Sequence, residues 1–233
     1  MISLEIHTKP DSKWNERLSS SPLGTIYHAK EYASAMESLN YKPIFIKFNS
    51  PKGDIIAQML VVINSRFYNK TKLSSFLGKI LYSKDKICSW VFGPIIFDFN
   101  YKNDICNLLQ NFLISNSYLV SGSEHPLSEK SLSYLRPPIT IKEWGTFLLD
   151  LSKNIEEQWN KLDKHSARKN IERAQKRGVY IKEIKRSDLE FYCKVREDTK
   201  PVLLSVLEKR WDLLNEIGWT GFLAYENEIQ KMD

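Results

Sequence analysis

The sequence predicts a mixed α/β (α+β) chain in which helices flank a mainly antiparallel sheet, with one order of elements begun twice. Three observations predict it. The β-rich runs "KPIFIKF" and "DIIAQMLVVI" flank "NSPKGD", whose Pro and Gly mark a turn, so the two runs read as an antiparallel hairpin. "YKNDICNLLQNFLISN" places Ile105, Leu108, Leu109, Phe112 and Leu113 at helical spacing. After "YLRPPITIKEW" the alternation of strand and helix patterns starts again, which puts a boundary near Pro137-Pro138 and domains at 1–142 and 143–233.

The elements follow in order. "ISLEIH" alternates as an edge strand does, and "DSKWNERLSS" reads as a short helix with Asp11 or Ser12 as its N-cap. "HAKEYASAMESLN" carries Tyr32, Met36 and Leu39 at helical spacing among alanines, which are strong helix formers. Beyond the hairpin, "KLSSFLGKILY" is expected to add one or two strands. "ICSWVFGPII" reads as a buried strand broken at Gly93-Pro94, because Pro94 has no N–H for a ladder. "SYLVSGS" returns as a strand. In the second half, strand "TFLLDLS", helices 154–162 and 164–177, strand "VYIKEI", helices 187–199 and 203–217, and strand "GFLAYEN" are expected. That last strand reads as half of a hairpin with no partner after it, so the second domain is expected to be incomplete at its C-terminus.

Length and composition bound the class. The chain has 233 residues, 42% of them apolar and 12% aromatic, ample for a buried core and unlike a disordered segment. Cys88, Cys106 and Cys193 are odd in number and widely spaced, so they suggest buried reduced thiols rather than a disulfide framework or a zinc knuckle. The opening residues "MISLEIHTKPDSKW" have no signal-peptide pattern, and no run approaches the length of a membrane span, so a cytoplasmic protein is expected.

The charge is concentrated. The chain carries a net +6, yet residues 161–186 alone hold ten Lys or Arg against Asp163, Glu172 and Glu183. On a wheel of about 100° per residue, Ala167, Ile171 and Ala174 form a narrow apolar stripe. Arg168, Lys169, Arg173, Lys176 and Arg177 spread over the opposite arc, and Gly178 is a natural left-handed terminator. Cations near a helix C-terminus complement its dipole, which accounts for Lys176 and Arg177. Arg168 and Arg173 exceed that need, and the Arg fork matches phosphate, so the arc reads as a grip for an anionic ligand.

Other motifs give less. No GxGxxG or P-loop occurs, so dinucleotide and P-loop chemistry find no support. "QKRGVY" starts like an acetyl-coenzyme A pyrophosphate loop, but it runs from helix to strand, the wrong order to aim backbone N–H groups at phosphate. His7, His28, His125 and His165 lack metal-ligand spacing. Glu156-Glu157 reads as a helix-start device, and spacing alone identifies no catalytic nucleophile with a paired base.

The stretch 147–184 resembles the signature of the FemABX peptidyltransferases, tandem GNAT-like proteins that build peptidoglycan bridges from aminoacyl-tRNA. The matching residues are D-L-S at 150–152, E-E-x-W at 156–159, R-K-N-I at 168–171 and A-x-K-x-G-V at 174–179. "SPLGTIYHAKEYASAMESLNYKPIFI" and "VFGPII" are similar to the family's opening helix and strand and to its Gly-Pro strand. The resemblance implies two GNAT-like domains and an acyl- or aminoacyltransferase acting on an amine of a cell-envelope precursor. It implies that Arg168, Lys169, Arg173 and Lys176 hold substrate phosphate, while Tyr32, Gly93 and Pro94 help line the cleft.

On that resemblance no cofactor stays bound; aminoacyl-tRNA or acyl-coenzyme A is the donor and a lipid-linked or nucleotide-linked sugar peptide the acceptor. The protein would touch the membrane surface only peripherally. Ser34 and Met36 stand where the family's bridge-forming members commonly carry a cleft lysine. Two alternatives stay open: a non-catalytic module binding RNA or another polyanion, and an inactive truncated homologue.

Overall fold

A computed structural model describes residues 1–65, 86–117, 119–128, 132, 135–143, 145–146, 148–199 and 201–226. By internal contacts the chain forms two units, Met1–Glu143 with Lys209–Ile217, and Trp144–Glu208 with Gly218–Asp233. The expected strands of "KLSSFLGKILY" lie outside the described residues.

The first unit is built on β1 (Ser3–His7), β2 (Lys42–Asn49), β3 (Ile55–Ser65), β4 (Lys86–Trp90), β5 (Ile95–Ile96) and β6 (Leu119–Gly122). The described strands are ordered β1-β2-β3-β4-β6, with β5 paired to β3 beyond the end of β4. Every pairing is antiparallel except β4 with β6. The expected hairpin is β2–β3, with Ile46 opposite Met59, and the expected edge strand is β1.

The pleat sends alternate side chains of β2 to opposite faces, and each face has its own cover. Ile44, Ile46 and Phe48 meet α3 (Lys102–Asn116) through Ile105, Leu109, Phe112 and Leu113. Phe45, with Leu60 of β3, meets Trp14 and Leu18 of α1 (Trp14–Ser19) and Ala33 of α2 (Lys30–Ser38). The small alanines let α2 approach the sheet closely. Each fully buried Leu, Ile or Phe contributes about 1.5–3 kcal/mol, so these two layers carry the unit. Cys88, in the first layer, and Cys106 are both buried, and burial pushes their thiols up to about 12 and about 11.

Neither Asp11 nor Ser12 caps α1: the residue before the helix is Lys13, and no side chain caps it. The Asp11 carboxylate is taken instead by Arg17 at 2.7 Å, with Lys47 at 3.7 Å. Arg17 in turn donates to the buried Gln58, and Gln58 donates to the Trp14 carbonyl.

The second unit contains α4 (Ile155–Lys161), a π-type turn (Lys164–Arg168) running into α5 (Lys169–Lys176), the antiparallel pair β7 (Val179–Glu183) and β8 (Phe222–Glu226), and α6 (Leu189–Arg196). Helix α7 (Leu204–Leu214) crosses from this unit's residues to those of the first. Helices 187–199 and 203–217 are thus shorter than expected, and the strand at 222–226 finds its partner upstream in β7.

The expected strand "TFLLDLS" does not form among the described residues. Asp150 accepts from both the amide and the hydroxyl of Ser152, at 3.0 and 2.6 Å, so its end closes into a turn. Among the described residues no helix is long and apolar enough to cross a membrane.

Candidate functional site

The first unit has a corner where its sheet splits. Strands β4 and β5 both pair with β3, but at opposite ends of it, so the chain from Val91 to Pro94 leaves the ladder between them. Pro94 cannot donate a ladder bond, and the two residues before it turn away: Phe92 has φ 54° and Gly93 φ 139°. A left-handed Phe costs on the order of 1–3 kcal/mol and persists only where its surroundings impose it.

His28 imposes it. The residue lies in a short 3₁₀ turn (Ile26–His28) before α2 and is only 1% exposed. The Thr25 amide donates to its Nδ1 at 3.1 Å, which leaves Nε2 as the protonated nitrogen. Nε2–H then donates to the Phe92 carbonyl at 2.6 Å. Burial is the main reason the imidazole's pKa falls below its ordinary value, partly opposed by the bond to Phe92, so the ring is neutral at pH 7. The His28 carbonyl accepts from the Trp14 indole at 2.8 Å, tying the corner to the second core layer.

Rings gather around Phe92. Tyr27 packs edge-on against it at 5.8 Å between centroids and against Tyr32 at 5.3 Å, and His125 packs edge-on against Phe92 at 5.2 Å. His125 and Ser123 follow the end of β6, and β6 runs parallel to β4, so both strands deliver their C-terminal ends to this corner. The Phe92 amide donates to Ser123 Oγ at 3.4 Å. Nδ1 of His125 accepts from the Leu127 amide at 3.1 Å, so its neutral ring offers an Nε2–H donor. Burial lowers this pKa as well. It also raises that of the Tyr32 phenol, the largest influence there.

Two of the three expected contributors from this half therefore come together directly. Gly93 and Pro94 form the break itself, and Tyr32 joins them through Tyr27. A β-carbon on Gly93 would find ordinary contacts, 3.6 Å from His28 Nε2, so its positive φ rather than lack of space is what favours glycine there. Sequence reasoning missed His28, Phe92, Tyr27 and His125. A readable signal existed for His28: Thr25 stands three residues ahead of it, the spacing of a capping pair.

No family model and no curated protein matches the sequence. Among solved structures, a crystal structure of FemX aligns over 94% of this chain and 57% of its own, with a TM-score of 0.59 and 15% identity. The chain has the FemX fold. A Trypanosoma brucei acetyltransferase structure aligns over 64% of this chain and all of its own at 16% identity, but its TM-score of 0.34 is too low to bear on the fold. The present chain spans little more than half the length of the FemX chain it matches.

Within the FemX fold, the cationic arc belongs to the second unit. Asp163 opens it, accepting from the amide and hydroxyl of Ser166 at 2.6 Å each; those bonds, the hydroxyl's first, hold its carboxyl below the usual range. Lys169, Arg173, Lys176 and Arg177 are exposed and form no ion pair among the described residues. Arg168 differs. It is half-buried, and its Nε is shut off from solvent with no hydrogen-bond partner. The apolar stripe is looser than its small residues suggest: no residue of α5 is fully buried, and Ile171 remains 38% exposed. Glu156 and Glu157 do occupy the first turn of α4, behind an Asn154 cap that accepts from the Glu157 amide at 2.8 Å.

Proposed function

We propose that the protein is an acyl- or aminoacyltransferase of the FemX type, acting on an amine of a nucleotide-linked or lipid-linked sugar peptide. The observation that carries this reading is the FemX fold along 94% of the chain. The signature-like residues at 150–179 support it.

In such a transfer the amine nitrogen attacks the acyl carbon of an aminoacyl-tRNA or acyl-coenzyme A. The new C–N bond forms as the ester or thioester bond breaks, the leaving oxygen or sulfur departs with the electron pair, and the proton lost by the amine ends on it as the hydroxyl or thiol. No covalent enzyme intermediate is required. The enzyme's contribution is to position the reactants and stabilise charge. Arg168, with an unsatisfied Nε, is suited to fork onto a substrate phosphate, with Lys169, Arg173 and Lys176 adding positive field. The corner of Tyr27, Tyr32, Phe92 and Gly93-Pro94 offers a rigid aromatic wall, and the His125 Nε2–H a neutral donor.

A thermal-shift series with aminoacyl-tRNA, acyl-coenzyme A and a UDP-linked sugar peptide tests the reading. A ligand present at 100 times its Kd adds about 2.7 kcal/mol to stability. Stabilisation by a donor and by the acceptor is the expected result, and no response to any of the three overturns it.

A second reading rests on the exposed, unpaired cations of α5. A non-catalytic polyanion-binding module would use them alone, with affinity falling steeply as salt rises.

A further inference from the structure

On the α1 side of the first sheet, beyond the point where α1 stops covering it, the odd-numbered side chains of β1 and β2 line a recess of about 170 Å³. Its walls are His7, Lys9, Pro10, Asp11, Trp14, Phe45 and Lys47. The register explains the gathering: Glu5 stands opposite Lys47 and His7 opposite Phe45, so all four side chains share one face. Among the described strands β1 pairs only with β2 and so lies at the sheet edge.

The charges in and around the recess do not cancel. Among the described residues, Lys9, Lys47 and Arg17 outnumber the two carboxylates of Asp11 and Glu5. Arg17 lies 2.7 Å from Asp11, and Lys47 lies 3.1 Å from Glu5 but 3.7 Å from Asp11, beyond a good hydrogen bond. An ammonium has three donors, so Lys47 retains unused ones, although only 15% of its side chain is exposed. Lys9 has no partner among the described residues. Lys9, with no such partner, and Lys47, shared between Glu5 and Asp11, thus line one small recess with Trp14 and Phe45 as its apolar floor. The Arg17–Gln58–Trp14 chain of bonds fixes that floor from behind.

We infer that this recess is a binding site for a small oxyanion, a carboxylate or phosphate monoester group held between Lys9 and Lys47. The site is independent of the transfer reaction proposed above, since it uses neither the Phe92 corner nor the α5 cations. The two ammonium groups supply charge-assisted bonds to the anion's oxygens, and the aromatic floor excludes water from its far side. The recess has room for the charged group and a few further atoms, not for a nucleotide.

The test is a titration of the full chain with sodium phosphate and, separately, sodium acetate, followed by amide and indole NMR shifts at constant ionic strength against sodium chloride. Saturable shifts at Lys9, Lys13 and the Trp14 indole N–H are expected with at least one of the two anions, and which anion saturates tells phosphate from carboxylate. Lys9 is exposed and unpaired, so K9Q leaves the fold intact; it should weaken binding about tenfold, the equivalent of one charge-assisted bond, and K9R should restore it. Linear shifts matched by chloride overturn the proposal. So does saturable binding indifferent to K9Q.

Discussion

Nε2–H of His28 donates to the carbonyl of Phe92 across 2.6 Å, joining residues 64 apart in sequence at the point where the sheet divides. One buried imidazole thereby reads out two local structures. Its Nδ1 receives the Thr25 amide and closes the turn before α2, and its other nitrogen holds a left-handed phenylalanine in place. His28→Ala leaves both backbone groups without a partner and opens a cavity, so a loss of about 2–4 kcal/mol is expected. Urea unfolding followed by circular dichroism measures it. A loss near zero would mean that the Phe92 turn stands without its strut.

The same residue sets a pH dependence. Burial keeps the folded pKa of His28 below the ordinary 6.5, so on acidification the unfolded chain takes up the proton first. The stability contributed is present above about pH 6.5 and is lost progressively as pH falls from there to the lower folded value. The carboxylates of Glu5 and Asp11 act in a lower window. Hydrogen bonds from His7 and Lys47 lower Glu5; for Asp11, burial works upward but Arg17 outweighs it. Unfolding midpoints at pH 7.5 and 5.5 should therefore differ for the natural chain, and the gap should shrink in His28→Gln, which cannot titrate.

Gly122 faces Trp90 across the parallel pair β4–β6, and a β-carbon there would overlap the indole ring. Trp90 is 7% exposed and has nowhere to move without disturbing the first core layer. Gly122→Ala is expected to cost about 1–3 kcal/mol, the usual penalty of overpacking. Because both strands end at the Phe92 corner, it should also shift the NMR signals of Ser123 and His125. A thermal midpoint unchanged from that of the natural chain would show that β6 can slide to make room.

What could be read from the residues alone was set by how local the cause is. The β2–β3 hairpin and α3 were legible because alternation and helical spacing are written in consecutive residues. The end of "TFLLDLS" reads as a strand because apolar Leu148, Leu149 and Leu151 outweigh one aspartate, yet that aspartate folds the chain onto Ser152. Asp11 or Ser12 reads as a cap because capping residues are recognised by position. The competing partner of Asp11 is Arg17, six residues on, and Arg17 is held in turn by Gln58 of a strand 41 residues further along, which no local pattern announces. Within the candidate corner, Gly93-Pro94 announced itself as a break. The histidine that holds the break is a lone residue in "IYHAKEY", and its role exists only once β4 and α2 are brought together.

The cationic helix and the aromatic corner give different answers under substitution, and that difference separates the two functional readings. Arg168→Gln removes the one arc residue that is half-buried with an unsatisfied Nε, and Arg173→Gln removes an exposed one. If Arg168 forks onto a phosphate, its loss should weaken acceptor binding by about tenfold to a hundredfold, while Arg173→Gln costs less. If the arc only supplies field to a polyanion, the two variants should be nearly equal, each reducing the salt slope by about one. Tyr32→Ala completes the comparison. Its phenol is half-buried beside Tyr27, far in sequence from the arc, so a polyanion-binding module should bind RNA as well without it. A transferase should instead lose acceptor binding or turnover, at a thermal midpoint still high enough for assay. Equal RNA affinity and salt slope in all the Tyr32 measurements, with no acceptor response in the natural chain, would leave α5 as a binding surface and remove the case for catalysis.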